Sequence, residues 1–320
     1  MRRCLQLAAC GRQESRPNPM VGAVIVAAGR IIGEGYHVRC GEGHAEVNAF
    51  ASVRPADEPL LPQATVYVSL EPCAHYGKTP PCAELIIRKG VRRVVIGCQD
   101  SFSEVSGRGI KMLREAGIAV TVGVLEAECR WLNRRFFTFH EKHRPYIILK
   151  WAQTADGFLD DHFQKTPISS EFSRTLVHKM RAEEDAILVG RVTAERDRPQ
   201  LDVRHWSGRN PQRFVLTATP PLPLRVIRVI RGTTPPTPLR EIRDVIDTCR
   251  QMNLQSLIVE GGARTLQSFL DAQLWDEIRI ETNPTLRVGG GTKAPALPAN
   301  IKRRCRQTID GNEIVTFFNS

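Results

Sequence analysis

The chain has 320 residues, of which 42% are apolar and 25% charged, with a formal charge of +11 at pH 7. That length suits two domains, each burying its own core; the composition excludes a disordered chain, and no run approaches the ~20 apolar residues that span a bilayer. The Lys and Arg residues are scattered, with Lys302-Arg303-Arg304 as the one short run, so the charge reads as a solvated surface first and attraction of phosphorylated small molecules next.

Met1-Arg2-Arg3 and the residues to Cys10 form too short an apolar core for a secretion leader and read as an opening amphipathic helix, so the chain is expected in the cytoplasm. Val21 to Val26 and Arg30 to Tyr36 read as a hairpin around Ala28-Gly29. A helix from Ala45 to Val53, a buried strand from Thr65 to Ser69, a helix from Cys82 to Lys89 and a strand from Arg93 to Ile96 follow. Ile110 to Ala116, Ala119 to Val124 and Leu125 to Phe139 continue the alternation of an α/β domain. The polar stretch His140 to Pro145 reads as a junction, giving domains 1–143 and 144–320.

A second α/β alternation begins there. Strands are expected near Tyr146 to Ala152, Ala186 to Val189, Phe214 to Thr217, Ser256 to Glu260 and Ile278 to Glu281. Helices are expected from about Ser169 to Arg181, Leu239 to Met252 and Ala263 to Ala272. Pro220 to Pro238, rich in Pro, Arg and Thr, reads as surface loop.

Nine cysteines without a leader are better thiols or metal ligands than a disulfide framework. His44-Ala45-Glu46 opens a predicted helix, Pro72-Cys73 follows a strand, and Cys82 opens another helix. One His and two thiolates suit tetrahedral zinc with its fourth position left for water, and Glu46 stands where it can move a proton from that water to a leaving nitrogen. Helix N-termini at the ligands favour anionic thiolates. The plain alternative is a chance His-x-Glu and inert core cysteines. The order strand, His-Ala-Glu helix, strand, Leu-Glu-Pro-Cys, helix decides against it, because it is the zinc deaminase layout.

Over essentially its whole length the sequence resembles the bifunctional riboflavin biosynthesis deaminase/reductase family. Eight residues, Ala74 to Pro81, separate the paired cysteines where nucleoside and nucleic-acid deaminases have two. The Pro-Cys-x-His-x-Gly-x-Thr-Pro-Pro-Cys segment, Pro17-Asn18-Pro19-Met20-Val21-Gly22 and Gly35-Tyr36-His37 match the family's motifs. The resemblance implies a cytidine-deaminase-like α/β/α domain followed by a dihydrofolate-reductase-like α/β domain. It implies that 2,5-diamino-6-ribosylamino-4(3H)-pyrimidinone 5′-phosphate is deaminated with zinc on His44, Cys73 and Cys82 and Glu46 as proton carrier. Asn18, His37, His75 and Lys78 correspond to substrate contacts, against plain readings as turn or exposed-loop residues.

In the second half the resemblance rests on Leu149 to Gly157, Arg181-Ala182, Asp185 to Gly190, Thr193, Asp197-Arg198-Pro199 and Val259-Glu260-Gly261-Gly262. A strand entering paired glycines and a helix lets backbone amides approach a pyrophosphate, though a bare Gly-Gly is more often a tight turn. The implied step is reduction of the ribosyl unit to ribityl by NADPH. By resemblance Gln153, Thr193, Asp197 and the run Gly262, Ala263, Arg264, Thr265, Leu266, Gln267 and Ser268 lie near the cofactor. Arg181, Leu201, Arg204 and Glu260 correspond to substrate contacts, the arginines suiting the phosphate. Lys150 is a candidate proton donor, with an ordinary strand lysine as the alternative. A homo-oligomer, foremost a dimer, is implied, with no nucleic-acid or membrane partner.

The sequence departs from the family's motifs at Asp100-Ser101-Phe102-Ser103, where Asp-Pro-Asn-Pro is usual, at Thr166-Pro167-Ile168-Ser169, where Trp-Ile-Thr is common, and at Asp197-Arg198-Pro199, where Asp-Asp-Pro is common. No aromatic is available at Pro167 to stack on the cofactor. Three rivals follow: a deaminase whose second domain has lost reduction, a tRNA- or DNA-directed deaminase, and a binding protein with structural zinc. The cysteine spacing and the absence of a basic, aromatic stripe oppose the second. A set of three protein ligands rather than four opposes the third.

Overall fold

The computed structural model describes residues 1–76, 80–101, 106–217, 237–239, 241–299, 301 and 303–319. The chain divides into two compact units, Met1–Lys142 and His143–Ser320. Among the described residues, no helix is long and apolar enough to cross a membrane.

In the first unit β1 (Gly22–Ala27) and β2 (Arg30–Tyr36) pair antiparallel. Ala28 and Gly29 both take positive φ, as a tight turn matching the strand twist requires. With β3 (Thr65–Leu70), β4 (Arg93–Cys98) and β5 (Ala119–Val122) they build a sheet of order β2-β1-β3-β4-β5, parallel from β3 onward. One face is covered by α2 (Ala45–Ala51), α3 (Cys82–Arg88) and α4 (Arg108–Glu115), whose Ala49, Phe50, Ile86 and Leu113 pack on Ile25, Val66, Val68 and Val94. On the other lie α1 (Arg2–Cys10), α5 (Glu126–Leu132) and α6 (Arg134–Lys142), with Leu5, Cys129, Phe136 and Phe137 against Leu70 and Cys98. The result is the expected α/β/α sandwich. Glycines permit its close spacing: a Cβ at Gly22 would fall 2.1 Å from the Cys4 carbonyl, and one at Gly35 2.3 Å from the Ala49 amide.

The second unit is one eight-stranded sheet of order β12-β13-β11-β6-β10-β7-β8-β9. Its strands are β6 (Tyr146–Thr154), β7 (Ala186–Gly190), β8 (Gln212–Leu216), β9 (Thr237–Leu239), β10 (Ser256–Val259), β11 (Glu277–Asn283), β12 (Arg303–Ile309) and β13 (Asn312–Phe318). Strands β11, β6, β10, β7, β8 and β9 run parallel, β13 pairs antiparallel with β11, and β12 pairs antiparallel with β13. Alternation along β6 sends Ile147, Leu149 and Trp151 into a core under α9 (Ile242–Gln251) and α10 (Ala263–Asp271). Tyr146 and Ile148 face the opposite core, which includes Met180 of α7 (Glu171–Glu183) and Ala194 of α8 (Arg191–Asp197).

Five elements differ from the sequence expectation: α8, β9, the β12–β13 pair and the 3-10 helix Pro55–Gln63; Thr237 and Pro238 are strand rather than surface loop. The pair had a readable signal in Asp310-Gly311, whose positive φ angles of 50° and 83° make its turn. Leu239 ends strand β9 rather than opening a helix; α9 starts at Ile242, where Glu241 and Asp244 form a reciprocal cap. Residues 218–236, which include most of the expected surface loop, lie outside the described residues.

Candidate functional site

In the first unit, His44 caps the N-terminus of α2 and Cys82 is the first residue of α3. Cys73 follows β3, its carbonyl accepting from the Ala83 amide at 3.2 Å and its sulfur from the Cys82 amide at 3.3 Å. The three side chains, 29 and 38 residues apart from His44, converge: His44 Nδ1 lies 3.5 Å from Cys73 Sγ and 3.4 Å from Cys82 Sγ. All three ligand atoms fall within 4.8 Å of one another. Tetrahedral zinc with Zn–S of ~2.3 Å and Zn–N of ~2.0 Å requires N···S separations of about 3.6 Å, so the donor set fits the ion in type and spacing.

The two thiols share a proton unequally. The hydrogen bond with Cys82 draws Cys73 down to about 4, helped by His44, while Cys82 is pushed up by Cys73 and by burial. A dication competes for this position and holds both sulfurs as thiolates. Glu46 is 3% exposed, and burial, then the Cys73 charge, raise its carboxyl to about 7. The Cys82 thiol acts on the same carboxyl in the opposite sense, lowering it. A bound cation opposes the burial effect and favours the ionised form.

Asn18 and His37 join the same site. The His37 ring stands edge-on to His44 at 5.3 Å. Its Nδ1 lies 3.1 Å from the Gly43 carbonyl, which can only accept, so Nδ1 carries the proton and Nε2 is bare. Asn18 Nδ2 then donates to Nε2 at 3.1 Å, which fixes the amide orientation. Burial lowers the His37 pKa and keeps the ring neutral. The Asn18 turn is held from a residue the sequence reading missed: Asn133 exchanges two 2.8 Å hydrogen bonds with the backbone of Met20. His75 is exposed, and Lys78 lies outside the described residues.

In the second unit the parallel strands β6, β10 and β7 end at one edge. Arg181 of α7 forks onto Glu260, at the end of β10, through Nε at 3.1 Å and Nη2 at 2.7 Å, and its Nη1 donates to the Asp202 carbonyl at 3.2 Å. Burial acts to raise the Glu260 pKa, but Arg181 and Lys150 outweigh it and the carboxylate lies low. Lys150 is lowered by burial, against the opposing pull of Glu260 and Glu281. Leu201 is buried with a positive φ, and Arg204 is exposed and pairs with Asp202.

Beside this group lies a cradle without side chains. A Cβ on Gly190, the cap of α8, would meet Thr265 Oγ1 at 2.4 Å; one on Gly261 would meet Thr265 Cβ at 3.0 Å, and one on Gly262 Thr193 Oγ1 at 3.3 Å. The missing side chains let Thr265 and Thr193 pack against the backbone where β10 turns into α10, with Gly261 and Gly262 half-buried at that helix start. Within the predicted run Leu266 points into the core, while Gln267 binds Asp271 and the Ala296 amide. Gln153 accepts from Trp151 Nε1 at 2.8 Å. Asp197 is half-buried and its pKa is raised by burial.

The cytidine and deoxycytidylate deaminase zinc-binding region matches residues 1–98, and the RibD C-terminal domain matches residues 145–309. The riboflavin biosynthesis protein RibD of Aquifex aeolicus is 36% identical, over 99% of this chain and 97% of its own. This chain belongs to the RibD family. RibD of Bacillus amyloliquefaciens is 35% identical over 93% of this chain and 86% of its own. The crystal structure of a Thermotoga maritima diaminohydroxyphosphoribosylaminopyrimidine deaminase/5-amino-6-(5-phosphoribosylamino)uracil reductase superposes with a TM-score of 0.88 at 34% identity, covering 100% of this chain and 97% of that one. Acinetobacter baumannii RibD gives 0.84 at 28% identity, covering 99% and 97%. As a RibD protein the chain is a bifunctional enzyme of riboflavin biosynthesis, a zinc-dependent deaminase and an NADPH-dependent reductase.

Proposed function

We propose that residues 1–143 deaminate 2,5-diamino-6-ribosylamino-4(3H)-pyrimidinone 5′-phosphate and that residues 144–320 reduce the ribosyl group of the product to ribityl. The observation that carries the first half is the convergence of His44 Nδ1, Cys73 Sγ and Cys82 Sγ beside the buried Glu46. Zinc held by these three supplies a hydroxide nucleophile near neutral pH. Glu46 would carry one proton of the attacking water to the ring nitrogen and then the proton of the resulting C–OH group to the amine, which leaves as ammonia as the ring carbonyl forms. With its NH₂ committed to His37, Asn18 presents its carbonyl oxygen to a donor on the pyrimidine. The exposed His75 contacts the substrate, and Lys78 is assigned the same role from the family motif between the paired cysteines.

In the second half NADPH supplies hydride to the open-chain sugar. The cradle of Gly190, Gly261 and Gly262 with Thr193 and Thr265 receives its phosphates, with Gln153 and Asp197 at the margins. Arg204, exposed, takes the substrate phosphate. Arg181, engaged through three nitrogens, holds Glu260 in place, and Leu201, packed in the core with Ile148, backs the substrate side. Lys150, whose pKa burial lowers, is suited to give up a proton. The intact cradle and ion cluster favour an active reductase over a silent second domain. The same reading makes the protein a cytoplasmic homodimer; a monomer mass by light scattering overturns the assembly.

The test is incubation of zinc-loaded protein with the diamino substrate and NADPH, following ammonia and NADPH absorbance together. Glu46→Ala should reduce ammonia release at least ~100-fold and leave reduction of the already deaminated substrate intact. No ammonia from wild-type protein with verified zinc would sink the deaminase reading, and ammonia without NADPH oxidation would sink the reductase reading.

A further inference from the structure

Glu71 is 4% exposed and lies two residues before the ligand Cys73. Its carboxylate gathers four backbone amides from the segment after β4. Oε2 accepts from Asp100 at 3.3 Å and Gly107 at 3.0 Å. Oε1 accepts from Gly109 at 3.0 Å and Ile110 at 3.2 Å, in the first turn of α4. The Glu71 amide donates to the Cys98 carbonyl at 3.0 Å, extending the β3–β4 pairing by one step. Both of its ends are thereby fixed.

The next residue is clamped as well. A Cβ on Gly109 would lie 1.9 Å from the Pro72 carbonyl oxygen, so α4 rests directly on the backbone leading into Cys73. On its other side Cys73 is held by the Cys82 and Ala83 amides of α3. The sulfur therefore sits between two anchors, and the upstream anchor is the Glu71 carboxylate.

We propose that Glu71 is a positioning residue of the deaminase unit, setting the place of the Cys73 ligand by tying Pro72-Cys73 to the start of α4. This rests on the zinc-site reading above. Glu71→Gln keeps the size but turns an NH₂ toward two of the four donors, so one pair of hydrogen bonds is lost and replaced by repulsion. Gly109→Ala disturbs the same contact from the α4 side without changing charge.

The experiment uses full-length protein. Zinc affinity is measured by competition with a chromophoric chelator, and the cobalt-substituted protein is read by its thiolate charge-transfer and d–d bands. Ammonia release is resolved into kcat and KM, and reduction of the deaminated substrate serves as the internal control. Both variants should bind zinc about 10- to 100-fold more weakly, shift the cobalt bands and lose kcat more than KM at saturating zinc. Reductase activity should be unchanged. Zinc affinity within twofold of wild type, or unshifted cobalt bands, in either folded variant overturns the proposal. Loss of the first unit's cooperative unfolding in both variants would assign Glu71 to folding alone and also overturn it. Absence of zinc binding or ammonia release in the wild-type protein would instead strike the underlying zinc-site reading.

Discussion

Replacing Glu260 by Gln tests the ion cluster at the end of β10. Arg181 and Glu260 are a fork-on-fork pair with side chains only 12% and 11% exposed, and Lys150 contributes a second cation to the same carboxylate. Removing one partner of a buried pair costs about 3–5 kcal/mol, because the remaining charge stays buried without compensation. Glu260→Gln should fall in that range, since it strands two cations. Arg181→Met should lose less, because Glu260 keeps Lys150. The sign of the pH dependence follows from Lys150, whose pKa burial already lowers against the pull of Glu260. Without Glu260 it falls further, so the folded state binds fewer protons than the unfolded state between the lowered value and the ordinary lysine value. Stability then rises with pH across that window, and the deficit of Glu260→Gln should shrink from pH 7 towards pH 10. The share owed to Arg181, which cannot deprotonate, remains. Urea unfolding followed by the fluorescence of Trp151 and Trp275, both buried in the second unit, reads the effect. A loss below about 1 kcal/mol at pH 7, or a deficit that grows with pH, refutes the reasoning from the buried pair.

Gly190→Ala places a methyl against Thr265 Oγ1, where only 2.4 Å is open, and should weaken NADPH binding about tenfold. Fluorescence titration with NADPH measures it, and an unchanged Kd would remove the cradle from the cofactor site. Asn18→Leu removes the amide that His37 orients and should raise KM for the diamino pyrimidine by about 2- to 12-fold, the equivalent of one hydrogen bond of about 0.5–1.5 kcal/mol. Steady-state ammonia release decides this, and an unchanged KM would take Asn18 out of the substrate site.

The zinc ligands were legible because their chemistry is local: a histidine at one helix start, a cysteine at another and a cysteine after a strand, with Glu46 fixed two residues beyond its ligand. The strand, Gly261-Gly262 and helix order was legible for the same reason, although a bare Gly-Gly is more often a tight turn. The β12–β13 hairpin is written in Asp310-Gly311 and the apolar β13, but the polar run from Arg303 to Thr308 on the β12 side carries little strand signal.

Chain order and motif spacing determined the two α/β units and the residue types of both sites, because periodicity and helix starts are properties of neighbouring residues. Tertiary structure alone decided the partners. Arg181 and Glu260 are 79 residues apart, Met20 and Asn133 113, and the Glu71 carboxylate reaches amides 29 to 39 residues away. Buried carboxylates and amides need partners wherever folding brings donors within about 3 Å. That requirement is met across the sheet and between loops, where no sequence interval records it.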